Sequence, residues 1–253
     1  MLGRYAPHVA ATLSLGLPLI GSHLARMAIG VSDTLMVGWH GVESLAALVI
    51  ATSFVQVLFF LGMGFGTAVM GLMATAIARG DETQVRRVTR MALWLSLGFG
   101  LLVMPSMWFS RPVLLGLGQT PVVSQLAQDY LRIAGWGLIA NLVALTLNSY
   151  LAALERTQVV MWVTLAGLPL NIALNWVFIF GNLGAPELGV RGAAIASLAV
   201  QITAAVILAL YAGWLPVARK YELFTRFWRS DWQALCRVFR LGLPIGVTLL
   251  AEG

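Results

Sequence analysis

Of the ten acidic residues, only Asp33 and Glu252 are embedded in apolar sequence; the other eight fall in polar connections or near the ends of apolar runs. A carboxylate placed where water is scarce changes the energy of its surroundings when it takes up a proton or a cation. Both are therefore candidates for ion-dependent chemistry. For Asp33 the alternative is an interfacial position, because Gly38 and Trp39 follow closely. A second grouping is Asn171 and Asn175, within Pro169-Leu-Asn-Ile-Ala-Leu-Asn-Trp176. Spacing i, i+4 puts both amides on one helical face. Two amide oxygens beside a carboxylate form the oxygen-rich site that hard monovalent cations use. The same amides serve equally as hydrogen-bond glue between helices, and spacing alone leaves both roles open. Pro169 and Pro18 each remove a backbone donor inside an apolar run and are candidate hinges. Arg26 is a further charge in apolar sequence, facing either a cleft or, by snorkelling, the interface.

Other chemistry is excluded. His8, His23 and His40 have no metal-ligand spacing, and no GxSxG, HExxH or phosphate-loop pattern occurs. No residues are placed to act on a covalent bond, so neither enzymatic activity nor a cofactor is expected. Gly62-Met-Gly-Phe-Gly66 reads as a close helix-packing motif. Cys236 is the sole cysteine, which rules out an intramolecular disulfide.

The elements that must position these residues are membrane spans. Hydrophobic residues make up 59% of the chain and charged ones 10%, with mean hydropathy +0.86; soluble domains carry roughly 25% charged residues. Uncharged runs of 35, 20, 22, 30 and 27 residues follow Glu43, Arg90, Arg132, Arg156 and Arg191. Each is long enough for a spanning helix, which needs about 20 apolar residues. A further span is expected from about Val9 to Val37, interrupted by His23, Arg26 and Asp33, and another begins near Val238. Net charge is +6, but the basic residues are scattered over connections, which disfavours nucleic acid as a partner. Arg4, Arg79, Arg86, Arg87, Arg90, Arg156 and a cluster from Arg219 to Arg240 fall in alternate connections, so the positive-inside rule predicts a cytoplasmic N-terminus. Ser230 and Gln233 read as a capping box for an amphipathic helix carrying Trp232, Leu235 and Phe239, resting on membrane lipid.

The tetrapeptide LGLP occurs at Leu15–Pro18 and again at Leu241–Pro244. Aligning the twelve-residue segments from Leu15 and Leu241 gives six identities at an offset of 226. The offset encloses six spans, so both copies enter the membrane in the same direction, a parallel repeat. The expected organisation is a first lobe of six spans over 1–215, a connector over 216–237, and the start of a seventh span over 238–253, with a second lobe as partner. Arg26 and Glu252 then occupy equivalent positions of opposite charge, and a direct pairing across the cleft is one hypothesis.

The whole chain resembles the multidrug and toxic compound extrusion family, in its bacterial NorM-like branch. The resemblance is carried by Ser32-Asp-Thr-Leu-Met-Val-Gly38 with Leu45-Ala-Ala47, by Pro169–Trp176, and by the stretch Phe178–Ser197. It implies an all-α membrane protein of twelve spans in two parallel lobes, of which this chain would be the first lobe and the start of helix seven. It also implies an antiporter in the cytoplasmic (inner) membrane, expelling amphipathic, cationic, drug-like molecules as Na+ or H+ enters. Asp33, Asn171, Asn175 and Glu252 match coupling positions, with Na+ at Asp33, Asn171 and Asn175 if sodium is used. Ser197 falls where relatives place a hydroxyl residue. Arg26 departs from the pattern, which has a neutral polar residue there. A lipid-linked precursor flippase of the same superfamily and a non-transporting membrane scaffold are the alternatives.

Overall fold

The computed structural model describes residues 6–214 and 231–252, with side chains from residue 16 onward. The elements are α1 (Ala6–His40), α2 (Val42–Ala78), α3 (Glu82–Trp108), the short α4 (Ser110–Gly116), α5 (Pro121–Ala153), α6 (Thr157–Phe180), α7 (Val190–Trp214) and α8 (Trp232–Glu252), with no strand among the described residues. Six of these helices, α2, α3, α5, α6, α7 and α8, are long and apolar enough to cross a membrane. The 35-residue α1 carries His23, Arg26 and Asp33 within its apolar sequence. Trp39 and Trp214 stand at helix ends and are 74% and 82% exposed, as amphipathic rings at a membrane interface would be.

Local chemistry sets the helix ends. Asp81 caps α3 by accepting the Gln84 N–H, and Thr120 caps α5 just ahead of Pro121. Gly181 ends α6 in the left-handed region (φ 71°), where a Cβ would collide with the backbone of Glu187. Ser230, expected to cap the amphipathic helix, and most of the connector expected at 216–237 lie outside the described residues. The N-terminal turn of α8 is capped instead by Asp231, whose Oδ1 accepts the Ala234 N–H at 3.1 Å. The same carboxylate meets Arg87 Nε of α3 at 3.3 Å. From Trp232 the helix continues unbroken to Glu252, so the amphipathic stretch and the span expected from 238 form one element.

Five helices close a ring: α1 packs on α6, α6 on α7, α7 on α5, α5 on α2, and α2 on α1. α3 backs α2 and α5, and α8 lies against α2 and α3. The glycine motif of α2 permits two of these contacts at once. Gly62 and Gly66 face α5, where added Cβ atoms would meet Leu142 and Leu145. Gly64 faces α8, where a Cβ would fall on the Gly242 carbonyl and the Gly246 backbone. The second LGLP copy thus contributes its glycine to a backbone-to-backbone helix contact. Two apolar cores pack between the helices. One, at the α2–α3 turn end, includes Met73, Val85, Leu147, Tyr150 and Leu208. The other, at the α1–α2 turn end, includes Val37, Leu48, Leu131, Leu138 and Ile179.

Candidate functional site

Between the two cores the ring encloses a cavity of about 410 Å³, and all five ring helices line it. α1 contributes Arg26, Ile29, Gly30 and Asp33; α2 contributes Thr52, Gln56, Phe59 and Phe60. Tyr130, Asn141 and Asn148 come from α5, Val163 and Thr164 from α6, and Ser197, Val200 and Gln201 from α7. The wall mixes aromatic and aliphatic surface with uncharged polar groups, and its charged side chains are Arg26 and Asp33.

Asp33 sits where α1, α6 and α7 meet. Asn175 Nδ2 donates to its Oδ1 at 2.6 Å and Ser197 Oγ donates to its Oδ2 at 3.0 Å. Asn175 Nδ2 also donates to Asn171 Oδ1 at 3.1 Å. The i, i+4 spacing on α6 does put both amides on one face, and that face is fully buried: each asparagine is 0% exposed. Pro169, two residues upstream, lies inside the continuous α6, as Pro18 does inside α1.

Two features of this cluster matter chemically. The carboxylate is satisfied by neutral dipoles, and no ion pair to it occurs among the described residues. Meanwhile Asn175 Oδ1 and Asn171 Nδ2 are buried with no hydrogen-bond partner. A buried polar atom without a partner is uncommon and calls for an explanation such as an ion or water. An amide, a hydroxyl and a carboxylate converging beside an unused amide oxygen suit a hard cation or a proton in chemical type.

Not every expected residue joins this site. Glu252 lies at the exposed end of α8, which packs on α2 and α3 and not on α1 or α6. No salt bridge joins Arg26 to Glu252; the pairing across a cleft is absent from this arrangement. Arg26 instead lines the Asp33 cavity.

Sequence reasoning missed a carboxylate that is buried more deeply than the half-buried Asp33. Asp129 was placed near a span end, but α5 begins at Pro121 and carries it inward, 8% exposed. Arg191 Nη2 of α7 binds its Oδ2 at 2.6 Å, and Gln125 Nε2 donates to Oδ1 at 3.1 Å. Gln125 and Asp129 share the i, i+4 spacing that singled out the asparagines, a signal that was legible in the sequence. In the cavity wall Gln56 and Gln201 likewise stand i, i+4 from Thr52 and Ser197.

Comparison with known proteins fits this architecture. A "Probable multidrug resistance protein NorM" of Rhizobium meliloti is 46% identical over 245 residues, covering 97% of this chain and 52% of the relative. One of the same description from Agrobacterium fabrum is 40% identical, covering 99% and 54%. The chain thus spans about half the length of the relatives it matches. Among solved structures, a MOP superfamily transporter from Pyrococcus furiosus, described as having a binding pocket of reverse polarity that suggests a different function, superposes with TM-score 0.83 at 23% identity, over 95% of this chain and 52% of that one. Another, described as the outward-facing conformation of a multidrug resistance MATE family transporter, gives TM-score 0.82 at 25% identity, with the same coverage. The MatE family model matches residues 18–177, more than half of the sequence and including Asp33, Asn171 and Asn175. This chain belongs to the MatE family, the multidrug and toxic compound extrusion proteins that its sequence resembles.

Proposed function

We propose that this chain is the first lobe of a secondary antiporter that exports amphipathic, cation-bearing small molecules in exchange for Na+ or H+. Residues 1–215 form the six-span lobe, the stretch from 216 to 231 the connector on the inner membrane surface, and α8 from Trp232 the start of the second lobe's first helix. The protein resides in the cytoplasmic membrane with its N-terminus in the cytoplasm, as the distribution of arginines supports. The names of the relatives support multidrug export. The observation that carries the ion-coupling reading is Asp33, a carboxylate on the cavity wall whose two hydrogen-bond donors, Asn175 and Ser197, are both neutral.

The geometry supports a specific role for Asn175. Its amide turns its N–H side toward Asp33, as an ionised carboxylate requires, and leaves Oδ1 without a partner. When a proton or Na+ sits on Asp33, the reversed amide serves better: its oxygen accepts the acid O–H or ligates the cation. Asn175 therefore has two orientations matched to the two charge states of Asp33. Because Asn175 is on α6 and Ser197 on α7, loading the carboxylate alters the contacts that hold three helices together. Exchange requires that ion and substrate favour different arrangements of the bundle, and this junction is where the ion exerts its preference. Pro169 and Pro18 weaken the backbone ladder nearby and serve as the bending points.

The test uses the protein expressed from its complete reading frame and reconstituted in proteoliposomes. An imposed Na+ or proton gradient is expected to drive ethidium movement in the wild type. Asp33→Asn should reduce this to background while membrane insertion and melting temperature stay near wild type. Gradient-driven ethidium movement by Asp33→Asn at wild-type rates would remove Asp33 from coupling.

A further inference from the structure

The helices that bring Asp33 and Asn175 together also enclose a second, separate space. A groove of about 580 Å³ lies between α1 and α6 and shares no lining residue with the cavity at Asp33. Each wall takes positions i, i+3, i+4 and i+7 of its helix, from Ser32 to Trp39 on α1 and from Pro169 to Trp176 on α6. That spacing is one helical face. The crossing helices α2, α3 and α5 lie between α1 and α6 in sequence, so the two walls run in the same direction. Both tryptophans therefore stand at one end. From there the groove runs seven residues inward, about 10 Å at 1.5 Å per residue, or two-thirds of the roughly 15 Å half-thickness of the bilayer's hydrocarbon. No charged side chain lines it. Its polar groups are the Ser32 hydroxyl, which donates to Met36 Sδ at 3.8 Å, and the two indole N–H groups. Trp39 and Trp176 are both exposed, and among the described residues neither indole N–H has a hydrogen-bond partner.

An occupant must be apolar along its length and offer acceptor oxygens at one end only. We propose that the groove seats one acyl chain of a membrane phospholipid, whose ester and phosphate oxygens accept the N–H groups of Trp39 and Trp176. Indoles favour the depth where the bilayer turns from hydrocarbon to headgroup, because the ring is apolar and its N–H is not. The acceptors of a phospholipid lie at that same level, so chain and headgroup match the two ends of the groove. On the sidedness proposed above the lipid belongs to the outer leaflet, but the site does not depend on that reading. The competing cover is the second lobe, and packing argues against it. α8, where that lobe begins, lies on α2 and α3, and in the ring α6 is not a neighbour of α2. A seated chain also bears on the ion junction. Ser32 precedes Asp33, and Ile172 and Ala173 fall between Asn171 and Asn175, so what fills the groove sets the helix spacing that the Asn175–Asp33 hydrogen bond must span. Lipid tails are as apolar as the walls, so selectivity for the groove comes from packing and from the two indole hydrogen bonds.

The probe is a phosphatidylcholine with a diazirine midway along one acyl chain, added at a few lipids per protein to the purified full-length protein in maltoside micelles. Irradiation and peptide mass spectrometry then locate the labelled residues. Ile202, Val206 and Leu210, exposed on α7, report ordinary annular lipid in the same sample. Labelling of the two groove walls should exceed that of the α7 face about tenfold, as two neutral hydrogen bonds worth about threefold each imply. Ala173→Phe fills the groove from an exposed position and should bring groove labelling down to the α7 level. Trp176→Phe keeps a ring and loses the donor, for a drop of about threefold. Equal labelling of groove and α7 face in the wild type means annular lipid only and overturns the proposal, whether or not either variant folds. So does an unlabelled groove, the result expected if the second lobe covers it. Unchanged groove labelling in an Ala173→Phe protein that melts like the wild type does the same.

Discussion

Asp33 and Asp129 are both carboxylates held inside the same helical bundle, and their partners differ in kind. Asp129 has its cation built in, with Arg191 at 2.6 Å, while Gln125 occupies its second oxygen. Asp33 has a buried amide and a hydroxyl and no cation. A carboxylate with a resident counter-ion is neutralised permanently, so it can hold α5 to α7 but gains nothing from a mobile ion. A carboxylate satisfied by dipoles keeps its net charge and has reason to take up a proton or Na+. Location divides them in the same way. Asp33 borders the cavity, whereas Asp129 packs beside the apolar core that includes Ala127, Tyr130 and Leu131. The contrast teaches that each acid of this bundle is read by its partners more reliably than by its depth.

The comparison breaks most visibly where a structural pair loses one member. Arg191→Met leaves Asp129 buried with only Gln125, and breaking a fully buried pair costs about 3–5 kcal/mol. The Arg191 side chain is 54% exposed, so screening reduces the expected loss to about 2 kcal/mol. A drop in melting temperature of several degrees in detergent should follow, largely recovered by adding Asp129→Asn. Efflux per folded molecule should be unchanged. If Arg191→Met leaves the melting temperature alone but abolishes gradient-driven efflux, Asp129 belongs with Asp33 and the distinction drawn here collapses.

Much of this contrast was legible in the sequence, and its blind spots have physical causes. Uncharged runs located the spans because lipid tolerates few charges. The i, i+4 asparagines were visible because helical periodicity is local. The LGLP repeat pointed to Gly242, whose close approach to Gly64 shows why a glycine is needed there. Glu252 looked equivalent to Asp33 because both interrupt apolar sequence, yet packing places α8 against α2 and α3, away from α1. The Asp129–Arg191 pair joins residues 62 positions apart, a separation no local pattern encodes. The beginning of α5 was also hard to see, because Gln125, Gln128 and Asp129 make its first turns look like a polar connection. The cavity wall draws its residues from five helices, so it existed only once the ring was closed.

Between the two asparagines, distance from Asp33 should rank the effects. Asn175 touches the carboxylate directly, and Asn171 acts on it through Asn175. Asn175→Ala removes a charge-assisted hydrogen bond and the amide oxygen that the loaded state would use. Its apparent affinity for the coupling ion, read from the ion dependence of efflux, should fall about tenfold. Asn171→Ala leaves that contact in place but frees the Asn175 amide to wander, for a loss of about threefold, the size of one neutral hydrogen bond. Equal effects from the two changes would mean that the asparagines act as interhelical glue, with no graded role at the ion.

Ser197→Ala should give a change of a size similar to Asn171→Ala and the sharpest reading of what the ion is. Ser197 donates one neutral hydroxyl to Asp33 Oδ2 at 3.0 Å, and hydroxyl oxygens can also accept or ligate. If the coupling ion is a proton, losing this donor destabilises the ionised carboxylate and favours the protonated one. Apparent proton affinity then rises, by about two- to fivefold for one such bond. If the ion is Na+, the hydroxyl oxygen is lost as a ligand and apparent Na+ affinity falls by a similar factor. The opposite signs separate the two ions in a single titration, provided efflux is measured against pH and Na+ independently. No change on either axis would place Ser197 outside the ion's reach, and Asp33 would then be coupled through α6 alone.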